Sequence, residues 1–199
     1  IVTVLFACLI GSALLFYAGW ELTIVGLLCV LFAFLYTTGP YPLSYNGWGD
    51  VLVIVFFGFV PVGGTYYVQA LTWTSDTTVA SLICGLLIDT LLVVNNYRDR
   101  EADARSGKRT VIVRFGEKFG RYLYLMLGVA ASLLCFWFFF EGHLFAALLP
   151  LLYLIPHVLT WRRMVQIHSG KKLNSILGET SRNMLLMGIL LSIGFLIRH

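Results

Sequence analysis

Long, uninterrupted runs of apolar residues dominate this chain, and short polar segments separate them. A helix that spans a bilayer needs roughly 20 mostly apolar residues, so we count seven candidate spans. They are residues 2–17, 22–36, 51–69, 77–94, 122–140, 144–161 and 184–197. The second and last runs are short, and flanking residues must extend them. The runs lack the alternation of a membrane barrel. The pattern predicts an all-α, multi-pass transmembrane helical bundle in the lipid bilayer.

The composition supports this interpretation. Charged residues make up 12% of the 199 residues and apolar residues 59%, whereas a soluble domain is about 25% charged. We expect one transmembrane domain over residues 1–199 and no nucleic-acid partner. The chain begins with Ile1 inside an apolar run that has no charged segment before it. This is unlike a signal peptide, and we expect that an N-terminal part is missing.

Basic residues are distributed unevenly, which predicts the topology. All fourteen Lys and Arg residues lie from Arg98 onward, mostly in two segments, residues 98–121 and 162–182. Short loops rich in Lys and Arg stay on the cytoplasmic side. Two spans separate these segments, so they share that side, and the loop of residues 37–50 falls there as well. We therefore expect a protein of the cell inner membrane whose polar motif faces the cytoplasm.

The polar motif directly follows the fourth run. If the helix continues past Val94, then Asn95, Asp99 and Asp103 follow at intervals of four residues, about 6 Å apart along the axis. They lie near one face of the helix, and Asn96 joins them. Carboxylate and amide oxygens are ligands that Mg²⁺ takes, with phosphate and water completing its shell. The spacing predicts a Mg²⁺ site.

Three cationic residues, Arg105, Lys108 and Arg109, come next, and Gly107 allows the backbone to turn. Arg binds phosphate bidentately, and Lys adds a mobile charge. Carboxylates alone would repel a diphosphate, but carboxylates with a metal ion and cations would attract it. The alternative interpretation is a charged loop that only follows the positive-inside rule.

Other polar residues receive structural interpretations. Asp50 and Asp76 each precede an apolar run and are expected to accept bonds from the first free N–H groups of a helix. Asp89, inside the fourth run, is a functional candidate, but a structural hydrogen bond or a neutral acid is favoured over a metal role. Pro61 is expected to kink the third span. Residues 179–183 are expected to open the last helix.

With this motif the chain resembles the UbiA superfamily of membrane prenyltransferases. The motif runs from Asn95 to Asp103 and continues through residues 107–110, while residues 36–40 and 63–69 resemble the branch that uses 1,4-dihydroxy-2-naphthoate. That superfamily has nine transmembrane helices and two aspartate-rich motifs. The resemblance implies that the seven runs are helices three to nine, and that the first motif is not in this sequence.

The resemblance also implies a reaction: a polyprenyl group passes from polyprenyl diphosphate to the aromatic acceptor 1,4-dihydroxy-2-naphthoate, in menaquinone biosynthesis. Asp99 and Asp103 would ligate or orient Mg²⁺, supported by Asn95, and Lys108 would stabilise the leaving diphosphate. The implied catalytic residues are Asp99, Asp103 and Lys108. The implied substrate-binding residues are Tyr36, Asn95, Asn96, Arg98, Arg105, Lys108 and Arg109; for Tyr36, anchoring in the interface is the alternative.

Three alternatives stay open from the residues. The acceptor could be another aromatic molecule, such as 4-hydroxybenzoate, homogentisate or haem. A cation-coupled transporter could place Asp89, Asp99 and Asp103 along an ion path, although coupling sites usually lie near the bilayer midplane. A lipid-binding scaffold without catalysis is the third alternative.

Overall fold

A computed structural model describes residues 2–197 of the chain. The described part is helical throughout and contains no strand. Its α-helices are α1 Val2–Ser12, α2 Leu15–Ala18, α3 Glu21–Thr37, α4 Gly49–Val53, α5 Gly64–Ala70, α6 Ser75–Arg105, α7 Val111–Phe115, α8 Glu117–Leu134, α9 Trp137–Phe140, α10 Leu144–Leu148, α11 Leu154–Ile167 and α12 Asn174–Leu196. Short 3₁₀ turns at Leu43–Tyr45, Leu149–Tyr153 and Lys171–Leu173 and a π-helical stretch at Ile54–Gly63 complete it.

Five helical stretches are long and apolar enough to cross a membrane: Gly49–Ala70, Ser75–Arg105, Glu117–Phe140, Leu144–Ile167 and Lys171–Leu196. Two shorter apolar helices, Val2–Ala18 and Glu21–Thr37, precede them. All seven predicted runs are therefore helical, and the all-α class is confirmed. Five of the seven reach spanning length, and the first two fall short of it.

The third predicted span is irregular around its proline. Pro61 lies in the π-helical stretch Ile54–Gly63, between α4 and α5. Proline has no N–H to donate and its ring clashes with the preceding turn, so the helix widens locally. Pro61 therefore lies in a π-helical segment within a continuous helix, and the kink expected there stays a prediction.

The longest helix, α6, holds the centre of the bundle and packs against the π-helical stretch and against α8. Gly58 and Gly85 make the first of these contacts close. A β-carbon on Gly58 would lie 2.5 Å from the carbonyl oxygen of Ser81, and one on Gly85 would lie 2.9 Å from the carbonyl oxygen of Ile54. The two backbones approach closely only because neither position carries a side chain.

The last helix begins earlier than the sequence predicted. α12 starts at Asn174, so Glu179 and Asn183 lie inside the helix and cap nothing. Both are buried and face α11: Asn183 donates to Thr160 Oγ1 at 2.9 Å, and Glu179 pairs with Arg163 at 2.6 Å. Because these residues are polar, the apolar run in the sequence begins only at residue 184. They nevertheless lie on the face of α12 that packs against α11.

Candidate functional site

A polar cavity of about 360 Å³ lies at the end of the bundle where α6 leaves its apolar stretch. One wall comes from the end of α3, the loop after it and the start of α4. The opposite wall comes from the C-terminal part of α6 and the segment that follows. The lining residues are Tyr36, Ser44, Tyr45, Gly47, Gly49, Asp50, Leu92, Asn95, Asn96, Asp103, Ser106, Lys108 and Thr110.

The first wall is a loop folded back onto its own helix. Ser44 Oγ donates to the carbonyl oxygen of Tyr36 at 2.5 Å, and Asn46 Nδ2 donates to that of Pro42 at 2.8 Å. Proline fixes φ and shortens the turn. The loop therefore holds Tyr36 at the cavity and returns the chain to Asp50 at the start of α4.

The second wall depends on the end of α6. Gly107 adopts φ +79°, a left-handed conformation that glycine takes without steric cost, and the amide of Lys108 donates to the carbonyl oxygen of Asp103 at 2.9 Å. This turn brings Lys108 back over the helix, where its Nζ lies 3.1 Å from Asp103 Oδ2. The two side chains are mostly buried, 22% and 13% exposed. The expected turn at Gly107 is confirmed.

Two hydrogen bonds join the walls. The amide of Arg109 donates to the carbonyl oxygen of Tyr45 at 2.7 Å, and Arg114 Nη2 donates to that of Asn46 at 2.7 Å. The loop of residues 37–50 and the motif segment therefore lie at the same end of the bundle, as the predicted topology requires. Which side of a membrane this end faces stays a prediction.

Asp99 lies one turn before Asp103 but is engaged elsewhere. Arg98 grips its carboxylate with two hydrogen bonds, of 2.7 and 2.5 Å. The same guanidinium donates to Asn95 Oδ1 at 2.7 Å and to Asn174 Oδ1 at 2.9 Å. Arg98 thus links the motif to α12, and among the described residues Asp99 is outside the cavity lining.

The predicted site residues therefore fall into two groups. Tyr36, Asn95, Asn96, Asp103 and Lys108 come together around the cavity. The other four lie outside its lining: Arg98 and Asp99 form the pair described above, and the side chains of Arg105 and Arg109 are exposed. The roles assigned to all nine stay predictions.

The sequence analysis missed Asp50 as a site residue. Asp50 lies in the first turn of α4, whose N-cap residue, Trp48, makes no side-chain capping bond. Its Oδ1 atom is buried and, within the described residues, has no hydrogen-bond partner. Asp50 is therefore not the N-cap residue, although its side chain interacts with its own backbone N–H in the first turn. The capping role expected for Asp76 is wrong, because Thr74 caps α6 by accepting from the Thr77 amide.

Asp89 shares the unusual state of Asp50. It is 1% exposed, lies inside α6, and its Oδ1 atom also lacks a hydrogen-bond partner in the described structure. The structural hydrogen bond favoured for Asp89 is therefore not made by this oxygen. Asp50 and Asp89 interact electrostatically with each other and with Tyr36, so Asp89 lies close to the part of the cavity that Tyr36 and Asp50 line.

The donor set fits a hard divalent cation only with help from a ligand. Asp103, Asn95 and Asn96, which carry carboxylate and amide groups, line the cavity, and Asn95 Oδ1 already accepts from Arg98. Within residues 2–197, no three Asp, Glu, His or Cys side chains are grouped closely enough to hold a metal ion by themselves. Mg²⁺ typically uses one or two carboxylates together with substrate phosphates and water. The residues present fit that mode of binding.

Long apolar helices with a polar cavity at one end define a multi-pass membrane protein of the helical-bundle type. Comparison with known proteins agrees with this class. The model of the UbiA prenyltransferase family matches residues 1–193, and the chain belongs to that family. Members of the family generally use a divalent metal ion. No solved structure matches the chain significantly.

Several similar relatives share one printed name, 1,4-dihydroxy-2-naphthoate octaprenyltransferase. The relative from Haemophilus influenzae is 38% identical over 181 residues, which cover 87% of this chain and 56% of the relative. The relative from Escherichia coli is 39% identical, over 68% of this chain and 46% of the relative. The relative from Mycobacterium tuberculosis is 43% identical, over 60% of this chain and 40% of the relative. The chain spans about half the length of the curated relatives it matches.

Proposed function

We propose that the protein transfers a polyprenyl group from polyprenyl diphosphate to 1,4-dihydroxy-2-naphthoate, in menaquinone biosynthesis. One observation carries the proposal: the cavity joins Asn95, Asn96, Asp103 and Lys108 at the mouth of a membrane helix bundle. A diphosphate head fits that polar space while its isoprenoid tail stays among apolar helices. The printed names of the relatives favour the naphthoate over other aromatic acceptors.

We further propose that the cavity faces the cytoplasm in the cell inner membrane. The basic residues support this orientation, since all fourteen Lys and Arg residues lie from Arg98 onward and eight lie in residues 98–121. Segments rich in these residues remain on the cytoplasmic side. The aromatic acceptor and the diphosphate head are polar, and both would reach the cavity from water.

Mg²⁺ is the metal ion that we expect, held by Asp103 and Asn95 with Asp99 beside them. When bound, it neutralises charge on the diphosphate oxygens. Negative charge grows on the diphosphate as it leaves the allylic carbon, so groups placed to meet that charge act most strongly in the transition state.

The chain's own residues supply the rest of the site. Lys108 lies 3.1 Å from Asp103, and this ion pair keeps its ammonium group at the cavity, where it meets the diphosphate. Asn96, 3% exposed, offers an amide that donates to phosphate oxygens. Arg98 holds Asn95 and Asp99 in place from behind. Tyr36, at the end of α3, closes the wall that faces the acceptor.

The experiment is a prenyl-transfer assay on the protein that carries these 199 residues, in membranes. Asp103→Asn and Asp99→Asn are each expected to lower the transfer rate by about 100-fold or more, as does the loss of a preorganised group that stabilises transition-state charge. Glu101→Gln, an exposed acid on the same helix, is the matched control and should keep the wild-type rate. Chelation should abolish transfer, and added Mg²⁺ should restore it.

Either of two results would contradict the proposal. If Asp103→Asn transfers the prenyl group at the wild-type rate, the polar motif has no role in the reaction. Faster transfer to 4-hydroxybenzoate, homogentisate or a haem precursor than to the naphthoate would replace the acceptor.

A further inference from the structure

Asp50 lines the cavity and carries an acceptor atom without a partner. Its Oδ1 atom is buried without a hydrogen-bond partner, and the residue belongs to the cavity lining. A buried polar atom that lacks a partner carries a desolvation cost, and a charged one carries more. Such an atom at a ligand cavity indicates that a bound molecule supplies the missing donor.

Among the described residues, no cation pairs with the Asp50 carboxylate. The lining contains two carboxylates, Asp50 and Asp103, and one cation, Lys108, which pairs with Asp103. Asp50 makes no ion pair with any described residue, and its ionisable neighbour Asp89 is another acid. The Asp50 side of the cavity therefore offers an acceptor to a hydrogen-bond donor and no cation to a diphosphate.

The surroundings of Asp50 suit an aromatic ring. Tyr36, from α3, and Leu92, from α6, both lie close to Gly49: a β-carbon built on Gly49 would lie 3.5 Å from the Tyr36 hydroxyl and 3.4 Å from Leu92 Cδ2. Gly49 leaves room there because it has no side chain. A flat ring that lies against Tyr36 and Leu92 would bring a ring hydroxyl toward Asp50.

We propose that Asp50 Oδ1 accepts a hydrogen bond from a ring hydroxyl of the aromatic acceptor and so fixes the acceptor opposite the diphosphate. The inference rests on the proposed function and deepens it by assigning the acceptor side of the cavity to α4. Asp103, Lys108 and Asn95 hold the diphosphate on the α6 wall. Asp50 would position the ring without taking part in bond breaking, and it would reject rings that lack the hydroxyl.

The test pairs a change in the protein with the matching change in the ligand. Equilibrium binding of 1,4-dihydroxy-2-naphthoate is compared with that of its two analogues that each lack one hydroxyl, for wild type and for Asp50→Ala. The analogues are smaller than the parent, so they introduce no clash. The wild type should bind the parent about 10- to 100-fold tighter than one analogue, as for a hydrogen bond to a charged group. Asp50→Ala should bind these two ligands equally well.

Two further variants separate positioning from folding. Asp50→Asn keeps the shape and one acceptor oxygen, and should retain part of the discrimination. Asp76→Ala removes an acid from the first turn of α6, outside the cavity lining, and should discriminate like the wild type.

The overturning results are distinct. If Asp50→Ala discriminates against both analogues as strongly as the wild type, Asp50 does not contact a ring hydroxyl. If Asp50→Ala binds the acceptor normally but needs more Mn²⁺ for half-saturation in a metal-binding titration, Asp50 is a metal ligand instead. A wild-type protein that transfers no prenyl group and binds no naphthoate would refute the proposed function itself, whereas transfer without this discrimination refutes only the inference.

Discussion

Glu117 gathers several partners behind the motif helix. It pairs with Arg100 at 3.2 Å, contacts His168 at 3.0 Å, and also binds Arg121. The hydroxyl of the fully buried Tyr97 donates to Glu117 at 3.3 Å and accepts from Arg121 at 3.0 Å. A network of this kind contributes more than an isolated surface pair. It fixes the face of α6 that lies away from the cavity.

We expect Glu117→Gln to lower the free energy of unfolding by about 1 kcal/mol, because two arginines lose their counter-charge while remaining partly exposed to water. Thermal unfolding in a single detergent checks this. Glu141→Gln, an exposed acid at the other end of α8 and α9, is the control and should unfold at the wild-type temperature. An unchanged melting temperature for Glu117→Gln would show that the network is not stabilising.

Individual residues also show the limit of spacing arguments. Asn95, Asp99 and Asp103 repeat every four residues, and the repeat correctly predicted a shared helix. It did not predict that Arg98 would take Asp99 with two hydrogen bonds while Asp103 stayed at the cavity with Lys108. The adjacent Arg98 fixes the orientation of the Asp99 carboxylate, and the spacing of acidic residues along a helix contains no information about such a contact.

The contact between α6 and the π-helical stretch sets the position of the motif at the level of whole elements. A β-carbon on Gly58 would collide with the backbone of Ser81 and Gly85, and α6 continues from there to Asp103. This close contact replaces side-chain packing with backbone contact, so α6 has little freedom to shift along its neighbour.

Gly58→Ala is expected to lower the free energy of unfolding by about 1–3 kcal/mol, because the added β-carbon would meet the Ser81 carbonyl oxygen at 2.5 Å and force the helices apart. Gly64→Ala is the matched control, since a β-carbon on Gly64 would meet nothing within 4 Å. Thermal unfolding of both variants measures the difference. Equal melting temperatures would mean that the helices separate without cost.

The cavity is a property of the whole molecule, since residues far apart in the chain close it; Asn46 and Arg114, for example, are 68 residues apart. Arg114 joins the walls through Asn46, with a bond of 2.7 Å, and also donates to the carbonyl oxygen of Arg109 at 3.1 Å. These bonds, with the one from the Arg109 amide to Tyr45, hold the loop of residues 37–50 to the motif segment.

Arg114→Met should loosen that loop. We expect faster amide hydrogen exchange at Arg109, whose N–H donates to Tyr45, and weaker binding of the diphosphate by about 3- to 10-fold, as for the loss of one or two hydrogen bonds. Hydrogen exchange read by mass spectrometry checks the first effect. Arg162→Met, at an exposed position on α11, is the control. Unchanged exchange in the Arg114 variant would show that the walls are held together by other contacts.

Apolar run length and the positions of the polar breaks predicted the helical class, the seven helical segments and the motif on α6, because a bilayer constrains length and composition within one segment at a time. Only the tertiary structure revealed the pairing of Asp99 with Arg98, the long start of α12 and the place of Asp50 at the cavity. Each of these depends on contacts between residues distant in the chain, or on a choice among nearby partners. The pattern of hydrophobic residues does not predict long-range contacts or the choice among nearby partners.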